Sequence, residues 1–252
     1  MKHFKRGCLT AFDLKLAALI CMLIDHVGAI VYQPYLLTLS DPQPWMLTVY
    51  YAMRAVGRIA FPLYCFLLVE GFFHTRHVFR YAGRLFVFAL ISEIPFDLAV
   101  GGNCFVWSDS NVFFTLLLGL CAMIAVSYTE RFSTRLFAVR RSVRVFLGTA
   151  AILAECAAAC LAADLLGSDY GAFGVAVILM FRFFRRNRVL ACAAGVMMLI
   201  RSNFFSIASF STAALPFVYC YSGEKGVSMK YFFYAFYPAH LLLLTFAAHF
   251  WV

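Results

Sequence analysis

The chain has 252 residues, of which 64% are hydrophobic, 18% aromatic and only 13% charged, with a formal net charge of +9. A soluble domain carries about 25% charged residues, so a water-covered enzyme is excluded and an all-α, polytopic membrane helical bundle is expected. The whole of 1–252 reads as a single transmembrane domain, without the repeated short-period alternation of a membrane barrel. The basic excess sits in short segments between apolar runs, where it sets orientation rather than binding nucleic acid. The nine cysteines form no C-x-x-C pair and mostly lie inside apolar runs, as small core residues would.

In chain order, the segment MKHFKRGCLTAFDLK has the charge of a signal-peptide start. The apolar run behind it is too long for a cleaved leader, so 12–33 is read as a retained first span. Further apolar runs at 46–73, 80–100, 111–129, 143–163, 170–184, 189–200, 205–221 and 231–252 bring the expectation to about nine spans. The shortest, 189–200, either stands alone or joins 205–221 as one broken helix. Basic segments carry Lys2, Lys5, Arg6 and Lys15, then Arg76, Arg80 and Arg84, then the arginines of 130–144, those of 182–188, and finally Lys225 and Lys230. The segments between them have almost no Lys or Arg, with Arg201 the exception. This alternation predicts a cytoplasmic amino terminus and an extracytoplasmic carboxyl terminus.

Within the first run, Leu14 to Tyr32, two adjacent ionisable residues interrupt the apolar pattern, Asp25 and His26. An Asp at that depth costs roughly 2.5–3.5 kcal/mol on the insertion scale, and such groups usually mark a pathway or a site. With the alternating orientation, Arg54 and Arg58, Glu93 and Asp97, Asn111, and Asp169 with Tyr170 fall at a similar outer level. A polar cavity near the extracytoplasmic side is therefore expected. Pro62, Pro95 and Pro238 kink the spans that carry these groups. A second group lies toward the cytoplasm: Glu70 and His74 share a helix face next to Arg76, His77, Arg80 and Arg84. Such a basic mouth suits a phosphate-bearing ligand.

Plainer readings stand beside these. Arg76, Arg80 and Arg84 also serve as topology signals, and Asp25 with Arg58 would make a structural salt bridge. Glu70 with His74 supplies only two ligands, too few for a zinc site, so no metal is expected.

The blocks LKLAALICMLIDHVGAI (14–30), MRAVGRIAFPLYCFLLVEGFFHTR (53–76), YAGRLFVFALISEIPFDLAV (81–100), NVFFTLLLGL (111–120), DYGAFGV (169–175) and FYPAHLLLL (236–244) resemble the TraX family. Its namesake acetylates the amino terminus of a conjugative pilin. The resemblance implies transfer of an acetyl group from cytoplasmic acetyl-CoA to an extracytoplasmic acceptor, a peptide amine or a glycan hydroxyl. It also implies a multi-pass place in the bacterial cytoplasmic membrane, with lipid as the surrounding partner.

In that reading His26 is the general base or an acyl relay. Glu93 or Asp97 orients it from another span, and Asp25 pairs with Arg58 or Arg54. An arginine or Asn111 stabilises the oxyanion. Glu70, His74, Arg76, Arg80, Arg84 and His240 are the expected donor-binding residues. The donor's pantetheine arm, or a covalent relay, must then cross from the inner mouth to the outer base. Two other classes compete. A proton-coupled transporter would use Asp25, His26, Glu93 and Asp97 as a relay, though no internal inverted repeat is visible. A non-catalytic assembly factor would use the charges only to hold helices together.

Overall fold

A computed structural model describes residues 7–100, 109–135, 140–200 and 207–251; Lys2, Lys5, Arg6 and Arg201 lie outside the described residues. Nine helical rods fill these segments, and no strand is present among the described residues. The first rod runs from Ala11 to Thr38 as α1 (Ala11–His26), a π-helical turn (Val27–Tyr32) and α2 (Gln33–Thr38). Thr10 and Asp13 start it as a capping box, side chain to backbone in both directions. Pro34 to Thr38, beyond the expected end of the span at 33, continue the rod instead. The wide π turn, in which the Gln33 N–H reaches the Gly28 carbonyl, accommodates the missing donor of Pro34. Asp25 and His26 consequently sit near the middle of this rod.

The second rod is α3 (Pro44–Gly57) and α4 (Ala60–His74), broken at Arg58 and Ile59. Pro62 causes the break: its ring displaces the carbonyl four residues earlier, that of Arg58. α5 (Val78–Val100), α6 (Val112–Arg135), α7 (Arg141–Leu165) and α8 (Gly171–Phe183) follow. Then come α9 (Arg188–Ile200), a 3-10 helix (Ile207–Ala214) leading into α10 (Leu215–Tyr219), and α11 (Lys230–Trp251).

Five rods are long and apolar enough to cross a membrane: Ala11–Thr38, Pro44–His74, Val112–Arg135, Arg141–Leu165 and Lys230–Phe250. Nine rods match the nine expected apolar runs, and the other four are shorter or more charged than a full span. α5 is long but carries Arg80, Arg84, Glu93 and Asp97. α8 and α9 have 13 residues each, about 20 Å of helix against a hydrocarbon core of about 30 Å. α9 packs against 207–219, so the two form neighbouring short pieces and not one broken helix.

α4 is the hub. Phe61, Leu63, Cys65, Phe66, Leu68 and Val69 are buried on every face of it, as its unbroken apolar sequence requires. α1, α6 and α8 pack around it. α7 lies at the periphery, with Ala163 its one buried residue.

Candidate functional site

The bundle gathers polar side chains at two levels. At the first, Asp25 Oδ2 and Arg54 Nη1 form an ion pair 2.9 Å long. Helix α3 approaches α1 closely because Gly57 has no side chain. A Cβ there would stand 2.2 Å from Asp25 Oδ1. Arg54 thus takes the role open to either arginine. Arg58, released by the helix break, hydrogen-bonds the Tyr170 side chain and lies in the field of Asp169 and Asp25. The Tyr170 ring stacks on Phe61, with centroids 3.5 Å apart and planes within 3°. Gly174, one turn on, makes room for this, since a Cβ there would meet Thr115 and Tyr170 at 2.5 Å.

Two backbone bonds fix the neighbouring wall. Ser110 N–H donates to the Gly167 carbonyl at 2.9 Å and Asp169 N–H to that of Ser110 at 2.9 Å. The start of α6 is thereby tied to the turn before α8. Asn111, fully buried, donates through Nδ2 to the Glu93 carboxylate and to the Ala89 carbonyl, and its Oδ1 accepts from Phe113 N–H. Asp97, one turn beyond Glu93 on α5, is buried as well.

His26 does not find its partner in Glu93 or Asp97. Its Nδ1 lies 2.6 Å from Nε2 of His240. His240, expected in the donor mouth, belongs to this level instead, because α11 crosses α5 and the π turn of the first rod. Tyr237, one turn back on α11, places its ring 6.1 Å from that of His26. A π-helical turn directly after His26 is a further mark, since such turns recur at functional sites.

The second level is a basin of about 1170 Å³ at the opposite end of the helices. Seven arginines line it: Arg76, Arg80, Arg131, Arg182, Arg185, Arg186 and Arg188. The last five come from stretches that looked like loop charge alone; the shared sidedness of the basic loops was the signal that would have grouped them. Three are held by the protein itself. Arg182 bonds Glu130 at 2.8 Å, Arg185 bonds Glu70 at 3.2 Å, and Arg188 reaches the Tyr221 carbonyl at 2.5 Å. Glu70 is therefore an anchor for Arg185, while His74 Nδ1 turns to the Glu70 carbonyl at 2.8 Å. Burial and the nearby Glu70 hold the Tyr221 phenol above its ordinary range, against the pull of Arg188.

A narrower cavity of about 470 Å³ opens beside the basin, and Glu70, His74, Thr75 and Gly223 line both. It runs between Met22, Leu67, Leu68, Leu85 and Leu116 to Phe113 and Tyr237. Arg84, expected with Arg76 and Arg80, lies here instead, facing Tyr81 and hydrogen-bonded to Tyr234. The channel therefore begins at arginines and ends at the tyrosine beside His26.

These features define a helical membrane protein with a buried polar centre and, reaching toward it, an apolar cavity that opens beside a basic basin. The chain matches the TraX protein family over residues 12–247 and belongs to it. It is 32% identical, over 96% of its own length and 96% of the relative's, to the "Probable fimbrial assembly protein FimC, serogroup H1" of Dichelobacter nodosus. No solved structure matches it.

Proposed function

We propose that this protein is an acetyl-CoA-dependent acetyltransferase of the bacterial cytoplasmic membrane, acting on an extracytoplasmic amine or hydroxyl. The observation that carries the reading is an arginine basin sharing Glu70, His74, Thr75 and Gly223 with an apolar cavity that reaches Tyr237, whose ring lies 6.1 Å from that of His26. The nucleotide phosphates of the donor would rest among Arg76, Arg80, Arg131 and Arg186, which are exposed in the basin. The apolar channel takes the pantetheine arm and brings the thioester to Tyr237. From Lys15 at the channel mouth to His26 is roughly 16 Å of helix, a gap that the extended arm spans without a covalent relay. The positive-inside rule supports a cytoplasmic position for the basin and its arginines.

At the thioester, the acceptor's nitrogen or oxygen attacks the carbonyl carbon, the C–S bond breaks, and coenzyme A leaves as the thiolate. His26 takes the acceptor's proton and returns it to the departing sulfur. Arg58, hydrogen-bonded to the Tyr170 side chain, is the arginine assigned here to the oxyanion. Asp25 and Arg54 lock the helices that carry this set.

The relative's name favours a second reading, a part in building a surface fibre without chemistry of its own. Purified protein in nanodiscs, given radiolabelled acetyl-CoA and a panel of amine and hydroxyl acceptors, separates the two. Acetyl transfer that His26→Ala abolishes, with the variant still monodisperse, supports the enzyme. Wild-type protein that neither transfers acetyl nor releases thiol overturns it and leaves the assembly role.

A further inference from the structure

The pairing of His26 with His240 fixes where each proton sits. His240 Nδ1 lies 2.7 Å from the Phe236 carbonyl oxygen. A carbonyl only accepts, so this nitrogen carries a hydrogen. In a neutral ring the other nitrogen, Nε2, then holds a lone pair. That nitrogen is the one 2.6 Å from His26 Nδ1, so His26 Nδ1 must be the donor. The ring centres are 4.9 Å apart and the planes differ by 9°. With the nitrogens at 2.6 Å, this places the rings edge to edge in nearly one plane, the direction in which an imidazole lone pair points. His240 is buried, and its other ring neighbours are Phe236 and Tyr237. A neutral ring suits that setting, because a buried charge needs a compensating partner.

We infer that His240 is a positioning residue that holds His26 in the Nδ1–H tautomer and so leaves Nε2 of His26 as the unprotonated nitrogen. The chain of donors runs one way: His26 Nδ1–H to His240 Nε2, and His240 Nδ1–H to Phe236 O. The order is set by a backbone carbonyl, which cannot reverse. When His26 takes a proton at Nε2, the imidazolium forms with its Nδ1–H already directed at an acceptor, which stabilises it. Pro238, two residues before His240, belongs to this arrangement. Without an N–H it frees the Tyr234 carbonyl of α11, two residues before the Phe236 carbonyl that holds His240. The role of His26 as the base rests on the function proposed above; the tautomer does not, and it is measurable without turnover.

The test uses the full chain in lipid nanodiscs with ring-labelled histidine. Nitrogen chemical shifts for His26, assigned by the signals lost in His26→Asn, should show Nδ1 protonated and Nε2 bare. Replacing His240 by Phe should shift His26 toward the Nε2–H form that free imidazole prefers. Replacing it by Gln, whose side-chain oxygen can accept at the position of Nε2, should keep the Nδ1–H form. In acetyl transfer, His240→Phe should lower kcat at least a hundredfold with KM for acetyl-CoA unchanged, and His240→Gln should recover most of it. An Nε2–H form of His26 in the unsubstituted protein overturns the inference. So does a His240→Gln variant that is folded but no better than His240→Phe, since that marks a packing role. Absence of acetyl transfer by the unsubstituted protein, with the tautomer as expected, sinks the enzymatic reading alone.

Discussion

Asp25 and Arg54 illustrate what a single pair decides. Both are largely withdrawn from solvent, at 14% and 21% side-chain exposure, and Asp25 Oδ1 has no hydrogen-bond partner among the described residues. Removing one member of such a pair strands the other. We expect Asp25→Asn to destabilise the fold by about 3 kcal/mol, the lower end of the range for a broken buried pair. Replacing both, as Asp25→Leu with Arg54→Met, should restore most of that stability while leaving activity low. Thermal unfolding in detergent, followed by tryptophan fluorescence, checks both outcomes. A double variant as unstable as the single one would mean that the pair does more than neutralise charge.

Among the elements, the cavity between α1, α4, α5 and α11 is the part on which the proposed donor delivery depends. Met22 lies half-buried on its wall, one turn before His26 on the same rod. A Met22→Trp variant should narrow the passage without touching the arginine basin. We expect kcat/KM for acetyl-CoA to fall at least tenfold, a barrier change of about 1.4 kcal/mol. Binding of the nucleotide fragment of coenzyme A, measured by calorimetry, should stay as it was. Equal losses for fragment and whole donor would show that the arm does not thread this route. The break between α3 and α4 is a second element-level device. Pro62 breaks the rod so that Arg58 turns toward Tyr170, which a continuous helix would not allow.

For the molecule as a whole, the outer surface should meet lipid. α7 leaves most of its side chains exposed, Leu153 among them at 64% exposure. We expect Leu153→Arg, near the middle of that helix, to cost roughly 2.5–3.5 kcal/mol of insertion and to cut the membrane-integrated yield severalfold. Integration assays in inverted vesicles read this directly. Unchanged yield would place α7 against protein or water.

Much of this was written in the order of residue types. The apolar runs, the basic and neutral segments that alternate between them, and the costly Asp25, His26, Glu93 and Asp97 established a helical membrane protein with a polar interior. These are local quantities: transfer free energy and charge depend on the residues themselves. The family was legible too, because its blocks are contiguous. Contacts between distant segments were legible only as alternatives, as with Arg54 or Arg58 for Asp25, or not at all. That His26 meets His240, that Asp25 takes Arg54, and that Arg84 leaves Arg76 and Arg80 for the channel each depend on how far one helix is rotated and shifted against another. Sequence spacing gives the face a residue occupies on its own helix, while the packing of α11 against α5 and the first rod selects which faces meet.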